Sequence, residues 1–335
     1  MLTRTDHASR SERILDGRAV KRWLAPLADQ LGLLIVLALL IGAFAFTTPY
    51  FFSAATFTTI ANQIPAVVLA AVGMTYVLII GGIDLSIGSI LGLAGAVMGV
   101  MMTGAHPAPL WLAAVAALAA GAICGIFNGL IVVAWPVPSF VVTLGMLEIA
   151  RGATHLITNS QSAYIGARAG VIADASFLGL SFPFWIAIAA VIIGQIVLSR
   201  TVFGRYMVAV GTNEEVVRLA GVGTRPVKAA VFIIAATLAA AGAIMDVSRA
   251  QAATPNAGTG LELKVIAAVV IGGTSLMGGR GSVVSSLFGV IIIAVLDAGL
   301  AARGVRDETK RLITGCVIVT AVILDYYRHR FASRW

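Results

Sequence analysis

Residues 77–89 read VLIIGGIDLSIGS. They set one carboxylate, Asp84, between two long apolar runs, and no other Asp, Glu, Lys or Arg stands between Gln30 and Leu147. A helix needs about 20 apolar residues to cross the hydrocarbon core of a bilayer, and runs of that length recur along the chain. Of its 335 residues 59% are hydrophobic and 11% charged, with mean hydropathy +0.98; a soluble domain carries about 25% charged residues. The chain reads as an all-α integral membrane protein. A membrane β-barrel would show alternating strands of about ten residues, and no such alternation occurs.

The net charge of +8 is no nucleic-acid footprint, because its carriers cluster at Arg4 to Arg22, Arg200 to Lys228 and Arg328 to Arg334. Lys and Arg beside span ends mark the cytoplasmic side. Residues 1–26, basic but acid-containing and without a small-residue cleavage site, read as a cytoplasmic tail and not as a cleaved signal. Cys124 and Cys316 fall inside apolar runs and read as inert packing residues.

Apolar runs bounded by turns or charges predict about ten spans: 27–46, 59–80, 85–103, 110–133, 139–158, 182–198, 229–248, 261–277, 282–301 and 311–327. Together 27–327 form a membrane domain, interrupted by the polar coupling segment 199–228 and followed by a basic cytoplasmic tail, 328–335. An even count puts both termini and 199–228 inside. It also puts Arg303, Arg306, Lys310 and Arg311 outside, against the charge rule, with only Asp307 and Glu308 to offset them. A faint internal parallel repeat pairs Ile80–Gly88 with Ile271–Gly279 through the shared pattern IGGxxLxxG. Such repeats are a common way to build transporters.

Two segments carry mechanism. Gly81 and Gly82 let one helix end, since glycine reaches left-handed backbone angles without penalty. Asp84 or Ser86 then offers an oxygen to the amides that start the next helix. A broken span is tolerated only inside protein or along a wet path. The break therefore either lines a route for a polar solute or shapes the bundle without touching solute, and capping preference favours the second reading for Asp84. In the segment 204–223, Thr212 or Asn213 caps a short helix with Glu214 and Glu215 in its first turn and Arg218 near its end. Gly221 stops it, and each charge complements the helix dipole. So short a helix is marginal alone and must rest on its own bundle or on a soluble partner; Gly211 and Gly221 fence it as a docking unit.

Other polar groups are weaker signals. Glu148 and Arg151 stand three apart and can pair on one helix face. Asn62, Asn128 and Glu148 are candidates for lining a passage. Asp246 and Arg249 pair at the outer end of the seventh span, while Glu262, Lys264 and Asp297 snorkel from span ends. No lysine sits in a phosphate-binding Gly-Lys-Ser/Thr context, no metal-ligand spacing appears, and no nucleophile stands with a base. Neither catalysis nor ATP binding through such a loop is expected of this chain.

The stretch GGIDLSIGS at 81–89 resembles the signature of permease subunits of monosaccharide importers of the ATP-binding-cassette class, the ribose, xylose, arabinose and galactose type. GRYMVAVGTNEEVVRLAGVGTRPVK at 204–228, AGTGLELKVIAAVVIGGTSLMGGRGS at 257–282 and the closing span with its basic tail resemble the same family. The resemblance covers roughly residues 30–330. It implies an all-helical inner-membrane permease of about ten spans, paired with a second permease copy, identical or not. ATPase subunits, as two modules or one tandem chain, would dock on the cytoplasmic face and hold the ATP and Mg; this chain would bind no cofactor. A periplasmic sugar-binding protein would dock on the other face. The residues matching the family's ATPase contact are Asn213 to Gly221, with Gly211 before them. Rival readings are an ion-driven secondary transporter using Asp84 or Glu148, a non-transporting membrane scaffold, and a permease of the same class for a nucleoside or a furanosyl signal.

Overall fold

The computed structural model describes residues 30–135 and 137–332. The tail expected over 1–26 lies outside the described residues, as do the last three of the tail expected over 328–335. The described residues are 77% helical. Its helices are α1 (Gln30–Thr47), α2 (Ala54–Gln63), α3 (Pro65–Ile79), α4 (Ile87–Thr103), α5 (Leu110–Ala134), α6 (Ser139–Thr158), α7 (Ala167–Asp174), α8 (Phe182–Arg200), α9 (Val202–Leu219), α10 (Thr224–Ala250), α11 (Leu261–Ile271), α12 (Val283–Ala302) and α13 (Asp307–Ala332). Two short antiparallel pairs join Ala163–Tyr164 to Ala252–Ala253 and Ser176–Phe177 to Leu180–Ser181.

Among the described residues, α1, α5, α6, α8, α10 and α12 are long and apolar enough to cross a membrane, and the pair α2–α3 makes a seventh. Length and composition thus certify six or seven of the ten expected crossings. The other three expected stretches are also helical, but α4 has 17 residues and α11 only 11. The second span is bent by 51° between α2 and α3. Pro65 opens α3 without an N–H to give the preceding turn, and the span starts at Ala54, earlier than expected.

The core is built around α10, which packs on α5, α3 and α4. A methyl added to Gly125 would lie 2.7 Å from Ile233 Cα, and one on Gly73 2.7 Å from Ala235 Cα. Without a hydrophobic drive between helices in lipid, such close backbone approach is what holds a bundle together.

The short α11 has a specific cause. After α10 the chain does not stay at the surface: Ala253 lies against Gly99, the Ala257 carbonyl 2.7 Å from where a Gly92 methyl would sit, and Gly258 against Gly88. Residues 253–258 therefore descend a groove of glycines on α4, through about 16 Å of helix at 1.5 Å per residue. Only then does α11 begin. The eighth expected span is thus an eleven-residue helix preceded by a turn-rich segment, 252–260, packed along α4.

The expected repeat has a matching feature on each side. Gly81 (φ 75°) and Gly273 (φ 85°) end α3 and α11 in the left-handed region, each with the paired hydrogen bonds of a Schellman turn. The sequence match, however, sets Gly81 against Gly272. The breaks are equivalent with a one-residue offset, so the IGGxxLxxG register is not the structural one.

Candidate functional site

The first break is sealed by its neighbours. Ile83 N–H donates to Ser139 Oγ (2.9 Å) and Leu85 N–H to Thr143 Oγ1 (3.1 Å), both on α6. Asp84 Oδ1 accepts from Ser86 N–H (2.8 Å) and from Ser86 Oγ–H (2.6 Å), and Asn128 Nδ2 on α5 donates to Ser86 Oγ (3.0 Å). Asp84, Ser86 and Asn128 are completely buried. The N-cap of α4 is Ser86, whose side chain makes no cap bond. Asp84 thus fixes the residue before the first turn and does not satisfy the first-turn amides as expected. Asp84 Oδ2 and Asn128 Oδ1 lack partners among the described residues.

Within 199–228, between the end of α8 and the start of α10, Val202–Leu219 folds as α9 with a kink at Asn213, whose backbone is extended (φ −161°, ψ 98°). Asn213 Oδ1 accepts from Val216 N–H (3.1 Å), so Asn213, and not Thr212, caps the second, short helix. Arg218 pairs with Glu215 (2.6 Å) and Lys228 with Glu214 (3.0 Å), which ties the helix to the start of α10. Gly221 (φ 79°) ends it. Of its apolar residues Val217 faces the bundle, while Val216 (59% exposed) and Leu219 (78%) face outward.

Gly211, just before the kink, is wedged against the C-terminus of α3. A methyl there would collide with the Ile79 carbonyl oxygen and lie 2.6 Å from the Gly279 amide nitrogen. Gly279 N–H donates to that same carbonyl (2.8 Å), and a methyl on Gly278 would lie 3.0 Å from Gly81 Cα. The two helix breaks and α9 thus meet at one point. Met277, 86% exposed in the loop after α11, stands beside it.

At the opposite end a cavity of about 420 Å³ opens between the α2–α3 bend, α10, α11 and α12. Gln63, Asp246, Arg249, Lys264 and Asp297 line it. Arg249 pairs with Asp246 at 2.8 Å as expected, and Lys264 pairs with Asp297. Lys264 and Asp297 therefore neutralise each other across α11 and α12 and do not snorkel separately. A smaller cavity of about 190 Å³ adjoins it, lined by Asn62, whose Oδ1 accepts from Ser181 N–H (3.0 Å).

Comparison with known proteins decides what this architecture belongs to. The family described as "Branched-chain amino acid transport system / permease component" matches residues 56–322. The chain belongs to this permease family. Among its relatives, the ribose import permease of Escherichia coli K12 is 36% identical over 91% of this chain and 95% of that protein. The L-arabinose ABC transporter permease of Azospirillum brasilense is 32% identical over 90% and 89%, and the fructose import permease of Rhizobium meliloti 33% over 84% and 81%. These relatives are transport permeases and not enzymes. No solved structure matches the chain.

In the permease, the site residues fall into three places. Gly81, Gly82, Asp84, Ser86 and Asn128 gather at the first break; Gly211, Asn213, Glu214, Glu215, Arg218 and Gly221 form the short helix and its anchor; Asn62 lines the smaller cavity. Glu148 joins none of them. Its expected partner Arg151 donates instead to the Ala257 carbonyl (2.9 Å), and among the described residues Glu148 makes no hydrogen bond or ion pair. Residues 303–311 are less anomalous than their count suggests, because Lys310 pairs with Asp307 (2.9 Å) and Arg306 with Glu308 (3.4 Å). Cys124 is buried as expected, whereas Cys316 is exposed on α13. Met277 and the segment 252–260 are not read as site residues in the sequence, although 257–282 carries the family resemblance; a further signal is the glycine spacing 88, 92, 99 on α4.

Proposed function

We propose that the permease is the transmembrane subunit of an ATP-driven importer of a monosaccharide. ATP and Mg bind to separate ATPase subunits docked at the short helix 214–220. A sugar-binding protein delivers solute at the cavity end, and a second permease copy completes the passage. The α9 face is then cytoplasmic, with both termini on that side of the inner membrane, and the chain itself carries no cofactor.

One observation supports this reading most strongly. The short helix is capped at both ends, braced by an internal Arg218–Glu215 pair and tied to α10 by Lys228–Glu214, yet Val216 and Leu219 face outward. A helix so short is held by packing and not by its own propensity. An outward apolar face on a charged surface suits a protein partner. Behind it, Gly211 rests on Ile79 and Gly279, so a push on this helix reaches α3 and the loop between α11 and α12 directly.

The relatives named for ribose, arabinose and fructose favour a pentose or hexose over the amino-acid cargo in the family description. The experiment is competition. The full complex in proteoliposomes, loaded with labelled ribose, should be inhibited by related monosaccharides and not by leucine. Inhibition by leucine alone would move the permease to the amino-acid branch.

A further inference from the structure

Two connections at the end of the bundle away from α9 hold exposed apolar side chains on strained backbone. The first is the hairpin between α7 and α8, where Phe177 pairs with Leu180 across a two-residue turn, Leu178–Gly179. Both turn residues are left-handed, Leu178 at φ 51° and Gly179 at φ 78°. Glycine accepts such an angle, but a leucine crowds its own carbonyl there, and Asn or Asp is the usual first residue of such a turn. Leu178 is nevertheless 78% exposed, with Phe177 exposed beside it. The second connection joins α1 to α2. Tyr50 stands there at φ 62° and 91% exposed, between the exposed Phe46 and Phe52. Neither turn carries a charge, since no Asp, Glu, Lys or Arg lies between Asp29 and Asp84 or between Asp174 and Arg200.

The hairpin folds back along α8 instead of standing off it. Trp185, in the first turn of α8, donates its indole N–H to the Phe177 carbonyl (3.0 Å), and the two rings meet edge-on at 5.6 Å. Phe182 N–H closes the base of the hairpin on the Ala175 carbonyl (2.7 Å). Phe177 thus lies level with the start of a span whose exposed face, with Ile192, Ile193 and Ile196, is apolar and suits lipid. Trp gathers at the lipid–water boundary, where its ring is in lipid and its N–H keeps a partner. α2 packs against both the hairpin and α8, and Asn62 near its end accepts from Ser181 N–H. The turn ahead of α2 therefore lies at the same end of the bundle as the hairpin.

We infer that the hairpin is an interfacial anchor: Phe177 and Leu178 dip into the boundary between headgroups and acyl chains in the leaflet opposite α9, and Tyr50 with Phe52 makes a second contact with the same boundary. The occupant of this surface is phospholipid, because the surface continues the lipid-suited side of α8 and because both turns lack the charges of a water-exposed loop. Apolar side chains bind that boundary in proportion to the area they bury, which offsets the left-handed Leu178. The anchor also holds α7. Ser248 on α10 donates its hydroxyl to the Ala169 carbonyl (2.6 Å) and accepts from Ala173 N–H (3.0 Å), while the other end of α7 runs into the hairpin. Ala173, Asp174 and Ser181 line the smaller cavity, so the lipid contact fixes the depth of that cavity's wall. This inference needs α8 to cross the membrane and does not depend on what the permease carries.

The test uses the full-length permease in phosphatidylcholine nanodiscs, with both native cysteines replaced by alanine and a nitroxide attached through Phe177→Cys or Leu178→Cys. Collisions with oxygen, which partitions into lipid, and with a water-soluble nickel chelate read the depth of the label. Ile193→Cys on α8 is the lipid reference, and Gln161→Cys, exposed beyond α6, the aqueous one. Both hairpin labels should show an oxygen-to-nickel ratio several-fold above that of Gln161→Cys, and a ratio equal to the aqueous reference overturns the anchor. Leu178→Asn separates anchoring from folding, because Asn takes left-handed angles more readily. Combined with Phe177→Cys, it should keep or raise thermal stability in detergent and shift the label toward nickel access in the nanodisc. Lost stability would show that Leu178 serves packing within the chain, and an unmoved label would remove Leu178 from the anchor; either overturns its assignment. Nickel access that is blocked only on adding the sugar-binding protein would make the surface a protein contact and overturn the lipid one.

Discussion

The amide of Gly279 donates to the carbonyl of Ile79 at 2.8 Å, joining the loop after α11 to the last turn of α3. Ile79 sits in the last turn of α3, where carbonyls lose their in-helix partners, and its bond is supplied by a residue 200 positions later in the chain. Gly211 of α9 closes over that bond so tightly that no side chain fits. The segment proposed to meet the ATPase therefore touches both helix breaks without an intermediary.

Gly211→Val should disconnect this contact. Overpacking at such a point costs about 1–3 kcal/mol, here borne by shifting α9 off α3. The expected result is a complex that still binds ATPase through 214–220 but hydrolyses ATP with little uptake. The ratio of sugar imported to ATP hydrolysed measures it, and an unchanged ratio contradicts it.

Asp84 holds Ser86 through one oxygen, which predicts that the acceptor matters and the charge does not. Asp84→Ala leaves the buried Ser86 N–H and hydroxyl without that acceptor, at about 1–3 kcal/mol. Asp84→Asn keeps an acceptor in place and should preserve most stability and uptake. Thermal unfolding in detergent, paired with uptake, separates the two variants; an Asn variant as impaired as the Ala variant would mean the carboxylate itself is needed.

The first break was legible because its chemistry is local. Paired glycines followed by Asp and Ser announce a stop and a restart within a few residues, and Asn213 with Gly221 does the same for the short helix. The descent of 252–260 was not legible. TPNAGTG reads as an ordinary surface loop, and the reason it packs inward along α4 lies in glycines far away in sequence. The Glu148–Arg151 pair failed similarly: three-residue spacing makes the side chains neighbours, but Arg151 is claimed by a carbonyl 106 residues away. The bend before Pro65 had a visible residue but no visible direction.

The outward residues of the short helix should tolerate charge as far as folding goes. Val216→Asp with Leu219→Asp changes exposed positions, where substitutions usually stay within about 0.5 kcal/mol. Thermal stability of the isolated permease should not move, while co-purification of the ATPase subunit should be lost. Retained co-purification would put the contact elsewhere.

Lys264 and Asp297 pair across α11 and α12 with about a third of each side chain exposed. Lys264→Met should destabilise by about 1–3 kcal/mol, below the about 3–5 kcal/mol of a fully buried broken pair, because solvent screens part of the loss. Adding Asp297→Leu should recover most of it, since the stranded charge is removed. A double-mutant cycle by thermal unfolding reads this coupling, and additive losses would show that the pair contributes little.

The energy source tests the central claim most directly. Proteoliposomes containing this permease with its ATPase and binding-protein partners are given ATP, or instead a proton or sodium gradient, and uptake of labelled monosaccharide is followed. The account predicts uptake that requires ATP and both partners and that ignores the gradients. Uptake by the permease alone, driven by an ion gradient without ATP, would contradict it.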